Sequence, residues 1–207
     1  MLCPALHRFP NDPGASSRIM SSHHIIREKQ EPALYIQRLG AFNEEHLGQL
    51  LEWSPTLLVA ASEYEKLVSM GLKVDVVVGE TGLPLLQENT HVLTAVSGSG
   101  LAELILHLIK EQYEALNIIG DSIDVQEVRP FLSQINMVLY SATEKTYALK
   151  PGFTVWKPQG SIFRFDASLQ VQTHNLRKIG EDTFEVLADG FVAFNFTQDN
   201  LFVHEPL

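Results

Sequence analysis

The chain has 207 residues, 45% of them hydrophobic and 19% charged, which gives one large domain or two small ones with a packed core and excludes a disordered chain. Its net charge of −10 excludes a nucleic-acid surface of the usual kind, which needs clustered Lys and Arg against phosphate, but leaves room for a nucleotide ligand held by helix N-termini and a metal. Cys3 is the single cysteine, so neither an intramolecular disulfide nor a Cys-based zinc site is available.

Residues 1–19 are rich in Pro, Gly and Ser and lack the basic start and apolar core of a signal peptide. They read as a disordered tail or as an extension upstream of the natural start at Met20. No apolar run approaches the ~20 residues of a membrane helix, so the expectation is a cytoplasmic protein without a membrane partner. His23-His24 is a possible metal pair but sits in the leader to the first strand, where a surface role is the default.

From Ala33 to Tyr140, strand and helix patterns alternate. Ala33–Ile36 reads as a strand, and Glu44–Glu52 as a helix with Leu47, Leu50 and Leu51 on one face. Thr56–Ala60 is the second strand. Ser62 and Glu65 have the spacing of a capping box for a helix that stops near Gly71. Val74–Val78 is the third strand, His91–Val96 the fourth, and Leu101–Tyr113 a helix. Leu116–Ile119, a helix over Val125–Gln134 and a strand over Met137–Tyr140 complete the series. This alternation predicts an α/β unit over residues 20–145, a mostly parallel sheet with flanking helices.

After Tyr140 the rhythm changes, with a boundary near Thr143–Gly152. Turn signals at Lys150-Pro151-Gly152, Pro158-Gln159-Gly160, Arg177–Asp182 and Ala188-Asp189-Gly190 separate short alternating runs. The runs are Phe153–Trp156, Ser161–Phe165, Leu169–Thr173, Phe184–Leu187, Phe191–Phe196 and Leu201–His204. Residues 146–207 are therefore expected to form an antiparallel β-sandwich.

Candidate chemistry clusters where the strands end, the place where open α/β sheets bind ligands. Ser97-Gly98-Ser99-Gly100 precedes an amphipathic helix and offers either backbone N–H groups to a phosphate or simply a flexible cap. It is not a P-loop, because no Gly-Lys-Ser/Thr follows. Asp121 and Asp124 follow the fifth strand, although Asp124 with Glu127 also has capping-box spacing. The apolar strands Phe191–Phe196 and Leu201–Val203 offer an interface or a core.

Met20 to Leu34, Leu47-Gly48-Gln49-Leu50-Leu51-Glu52-Trp53-Ser54-Pro55, Gly71 to Gly79, Thr173-His174-Asn175-Leu176 and Asp189-Gly190-Phe191-Val192 carry a resemblance to the thiamin pyrophosphokinase family, in its Bacteroidetes branch. The resemblance implies a C-terminal thiamin-binding β-sandwich, a homodimer, and transfer of pyrophosphate from ATP to thiamin with Mg²⁺ bridging the phosphates.

This sequence departs from the family at the positions that perform that chemistry. The family's Asn-Gly after the first strand falls at Gln37-Arg38-Leu39-Gly40, and its Asp-Gly after the second at Ala61-Ser62. Its Gly-Asp-x-Asp turn is Gly79-Glu80-Thr81-Gly82, and its Thr-Asp is Ser99-Gly100. Its Gly-Arg-x-Asp-His is Gly120-Asp121-Ser122-Ile123-Asp124, and its Ser-Asn thiamin loop is deleted between Leu187 and Asp189.

Glu80 is the surviving carboxylate of its turn and reads either as a metal ligand or as a solvated turn residue. A displacement of about 1 Å can cost roughly a hundredfold in rate, so its extra methylene relative to Asp is not neutral. His174 and Asn175 are the thiamin-side candidates by resemblance, or turn formers by local chemistry.

Two functional expectations follow. In one, the scaffold has lost catalysis and binds a ligand such as thiamin or a nucleotide, or regulates a paralogue in a mixed dimer. In the other, an active kinase uses Mg²⁺ and ATP with Glu80, Asp121 and Asp124 as rearranged metal ligands.

Overall fold

The computed structural model describes residues 31–95 and 100–207, so residues 1–19, His23-His24, and Ser97, Gly98 and Ser99 lie outside the described residues. The elements run β1 (Ala33–Ile36), α1 (Glu44–Leu51), β2 (Leu57–Ala60), α2 (Ala61–Ser69), β3 (Val76–Gly79), β4 (His91–Thr94), α3 (Leu101–Lys110), β5 (Ala115–Ile119), α4 (Val125–Val128) and β6 (Asn136–Tyr140). Then follow β7 (Glu144–Leu149), β8 (Phe153–Lys157), β9 (Ile162–Arg164), β10 (Gln172–His174), β11 (Leu176–Lys178), β12 (Thr183–Val186), β13 (Gly190–Asn195) and β14 (Leu201–Pro206).

The first six strands are all parallel, in the order β6-β5-β1-β2-β3-β4. β1 is buried along its whole length, as a central parallel strand covered on both faces must be. Tyr35 faces α3, packed with Leu104, Ile105 and Leu108. Leu34 and Ile36 face the other side, with Leu47 of α1 and Leu67 of α2.

Two local expectations are corrected. Ser62 does not cap α2: the helix starts at Ala61, with Ala60 as the cap residue and no side-chain cap bond. The strand passes directly into the helix, so Ser62 is already inside its first turn. The helix expected over Val125–Gln134 stops after one turn of α-helix and continues as a 3₁₀ turn over Arg129–Phe131. Pro130 lacks the N–H that α-helical continuation requires.

The largest departure is β7. Its residues fall in the expected boundary, yet they form a strand that pairs antiparallel with both β6 and β14. Among the described residues the strands form two sheets, of eleven and three strands. The larger one runs β11-β12-β9-β14-β7-β6-β5-β1-β2-β3-β4 without a break. One leaf of the C-terminal sandwich is therefore a continuation of the parallel sheet. The other leaf is β10-β13-β8.

Between the leaves lies a core of Leu149, Phe163, Phe165, Val186, Val192, Phe194, Leu201 and Val203. Leu201, Val203, Val192 and Phe194 thus fill the core. Phe191 instead faces outward, directly opposite Trp156 on β8, and the two are 64% and 55% exposed. Alternation along β13 sends neighbouring apolar residues to opposite faces.

Glu205 is the buried carboxylate of the sandwich. It sits on the same face as Leu201 and Val203 and is met by the ammonium of Lys157 from the facing leaf and the hydroxyl of Tyr147. Lys145 lies 4.0 Å away. The pairing spans the two leaves, so it ties them together while keeping the charge satisfied. Burial first, then the hydrogen bond and the charge of Glu205, raise the Tyr147 hydroxyl above its ordinary value.

Removing one partner of a buried ion pair strands the other. Glu205→Ala is expected to lower unfolding free energy by about 3 kcal/mol, read from urea melts, with Glu205→Gln milder. A second expectation concerns alkali. Burial pushes Tyr35 up from 10.0 to about 12. A group whose folded pKa is raised stabilises the fold fully below its unfolded value and loses that contribution as pH climbs through the folded one. Melting temperature should therefore fall between pH 10 and pH 12, and Tyr35→Phe should make that fall shallower.

Candidate functional site

Strand order places a topological switch point between β1 and β5. The chain moves from β1 outward through β2, β3 and β4, then crosses back to β5 on the other side. Loops leaving β1 and β5 diverge there and open a crevice at the carboxyl edge of the sheet.

The β1 loop brings Arg38, and the β5 loop brings Asp121. Arg38 Nε donates to Asp121 Oδ2 at 2.8 Å, with the two side chains 69% and 51% exposed. Gly40 makes room for this contact. Its φ is +50°, and a Cβ at that position would fall 2.1 Å from Asp121 Oδ1. The Leu39 N–H donates to Glu63 Oε2 at 3.3 Å, which draws the first turn of α2 to the same loop.

The other candidates are placed differently. The Asp124 side chain accepts from the Gln126 N–H at 2.9 Å and is the N-cap of α4. Glu80 is exposed in the loop after β3. β3 and β5 are separated by three strand spacings, roughly 14 Å at about 4.8 Å each. Mg²⁺ needs oxygens at about 2.1 Å in a near-octahedral shell. Among the described residues no three His, Cys, Asp or Glu side chains gather in a way that would hold a metal. The described residues therefore do not present the carboxylate cluster that a bound Mg²⁺ needs.

Gly100 lies at the start of α3 with φ +67°, and a Cβ there would meet the Ala95 Cβ at 2.8 Å. Its role is close packing against the ends of β3 and β4. Asn175 has φ +64° and locks the corner between β10 and β11. Its amide donates to Ala188 O at 2.7 Å and accepts from the Ala188 N–H at 3.1 Å. The segment where the resemblance implies a deleted thiamin loop is thus held by Asn175 itself. His174 is exposed on β10, opposite Ala193. Asp75 accepts from the Leu57 N–H at 2.9 Å and fastens the amino end of β2.

Reading the sequence missed the residues that β7 and β14 bring to the crevice. A cleft of about 150 Å³ beside Asp121 is lined also by Tyr140, Glu144, Thr146 and His204. Thr146 Oγ1 lies 2.7 Å from His204 Nδ1, and Glu144 Oε1 lies 3.4 Å from the same nitrogen. Arg164 of β9 holds the other oxygen of Glu144. Both contacts of the imidazole are made by Nδ1. Burial raises the Tyr140 hydroxyl above its ordinary value and keeps it a neutral donor. The cleft is polar, charge-balanced and small. It suits binding of a compact polar group.

Neither a protein-family model nor a curated protein matches the chain by sequence. Solved structures do match. Thiamin pyrophosphokinase from Geobacillus thermodenitrificans superposes with TM-score 0.65 at 8% identity, over 84% of this chain and 97% of that one. The fold is that of the thiamin pyrophosphokinases. Thiamine pyrophosphokinase from Bacillus subtilis gives TM-score 0.61 at 12% identity, over 84% of this chain and 98% of that one. Yeast thiamin pyrophosphokinase gives TM-score 0.60 at 8% identity, over 89% and 88%. The thiamin pyrophosphokinase fold thus accounts for the parallel sheet and for the sandwich built onto its edge. No helix among the described residues is long and apolar enough to cross a membrane.

Because both side chains of the Arg38–Asp121 pair are largely in water, the pair adds little to stability. Arg38→Ala is expected to change unfolding free energy by less than about 1 kcal/mol in a urea melt while leaving Asp121 unpaired in the crevice.

Proposed function

We propose that this chain is a thiamin pyrophosphokinase-fold protein in which pyrophosphoryl transfer has been lost and the scaffold serves binding or regulation. The observation that carries this reading is the Arg38–Asp121 pair at the switch point. In a magnesium-dependent kinase, carboxylates at the strand ends hold the metal that bridges the phosphates. Here both carboxylates that line the cleft, Asp121 and Glu144, are met by arginines of the same chain. Asp124 is used as a helix cap, and Glu80 stands three strands away. The low identity to the kinases of known structure, 7–12%, fits a scaffold whose fold has persisted while its site has changed.

A regulatory role requires a partner, and a second copy or a paralogue of this fold is the partner proposed. The exposed Trp156–Phe191 pair on the outer face of the β10-β13-β8 leaf gives an apolar patch for such an association.

The deciding experiment uses the full chain. Calorimetric titration with thiamin and with a non-hydrolysable ATP analogue plus Mg²⁺ is expected to show no metal-dependent nucleotide binding, and no thiamin diphosphate should form from ATP and thiamin. Turnover that depends on Mg²⁺ and is abolished by Asp121→Asn or Glu80→Gln would establish the active kinase and overturn the proposal.

A further inference from the structure

A second cleft lies at the opposite end of the sheet from Asp121. Its volume is about 590 Å³, within the range of pockets that take small metabolites. It is framed by the 3₁₀ turn after α4, the turn between β7 and β8, and the loop between β13 and β14. From these come Arg129, Lys150 and Gln198, with Ser133, Asp199 and Asn200 at the wall. β6 begins at Asn136 near this cleft and ends at Tyr140 in the crevice. Five residues of strand therefore separate the two sites, roughly 15 Å.

Three observations give the cleft a chemical preference. The chain carries 25 acidic and 15 basic side chains, yet two cations line this one cleft, and neither Arg129 nor Lys150 is in an ion pair among the described residues. Arg129 is also held in place: its guanidinium carbon lies 5.0 Å from the centre of the Phe202 ring, and its Nε donates to Gln126 Oε1 at 3.1 Å. Those contacts leave the terminal N–H groups of the fork for a ligand, and a pre-positioned fork loses less freedom when it binds. Gln198 Oε1 is buried without a hydrogen-bond donor. A buried acceptor left unmet is unfavourable until a donor arrives.

We propose that this cleft binds a small phosphate ester that also carries a hydroxyl group. Arg129 and Lys150 take the phosphate, for which a planar fork and a mobile ammonium are complementary. The ligand hydroxyl donates to Gln198 Oε1 once the amide turns out from its buried position into the cleft. Asp199 disfavours a second anionic group at the same wall. The cleft has room well beyond a bare phosphate, which is why an ester is assigned. The site is independent of the crevice and of whether catalysis survives there. A ligand in it lies beside Lys150 at the end of β7, away from the β6–β7 hairpin, and can be bound while the crevice is occupied.

The test is titration of the full chain with ribose 5-phosphate, ribose and inorganic phosphate, followed by calorimetry and by thermal melts. Ribose 5-phosphate should bind and raise the melting temperature, inorganic phosphate should bind more weakly at the same site and compete, and ribose should not bind. Lys150→Gln, on an exposed turn, should weaken ribose 5-phosphate by about tenfold or more without changing the melting temperature of the free protein. Arg129→Gln should do the same, and Gln198→Ala should bring the ester down to the level of inorganic phosphate. Failure of ribose 5-phosphate to bind at millimolar concentration, or binding unchanged in both Lys150→Gln and Arg129→Gln, overturns the proposal. So does loss of binding on Arg38→Gln, which would place the anion in the crevice instead.

Discussion

The antiparallel pairing of β7 with β6 is the constraint on which the rest depends. Val138, Leu139 and Tyr140 face Tyr147, Thr146 and Lys145 across that seam. On its far side β7 pairs with β14 along six residues. A parallel sheet that would otherwise end at β6 therefore continues into the sandwich, and its edge is removed rather than exposed. The same seam carries two different faces. Tyr147, Leu149, Val203 and Glu205 point toward the three-stranded leaf, whereas Ala148 and Phe202 join the core beneath α3 and α4. One strand thus serves two hydrophobic cores by simple alternation.

Placement of the chemistry follows from the seam. Glu144 and Thr146 leave β7 on the side of the crevice, and His204 reaches them from β14. Without that pairing they would be remote from Asp121. The crevice that results holds opposed charges in balance: Arg38 against Asp121, Arg164 against Glu144. A phosphate-handling site needs an excess of positive charge or a metal to supply it. A site already neutralised by its own arginines favours compact polar ligands over polyphosphates.

The α/β half was legible from local patterns because parallel strands buried on both faces read as continuous apolar runs. Val76–Val78 and Leu57–Val59 are examples. Helix ends were legible where side chains decide them, as at Asp124, and not where tertiary packing does, as at Ala60. β7 was illegible for a physical reason. Its residues, Glu144-Lys145-Thr146-Tyr147-Ala148-Leu149, mix charge and bulk, and the polar ones become acceptable inside a sheet only because partners arrive from β9 and β14. Asn175 was read as either a ligand residue or a turn former, and its two hydrogen bonds to Ala188 account for the turn.

By itself the sequence determined the layered α/β-plus-sandwich architecture and the excess of negative charge, because each is written in residue type and short-range spacing. Only the tertiary structure decided that Arg38 meets Asp121, that Glu205 is buried against Lys157, and that Glu144, Thr146 and His204 share one cleft. Those pairs are separated by tens of residues along the chain. They are brought together by strand order, and strand order is chosen by the burial and hydrogen bonding of the whole sheet rather than by any local segment.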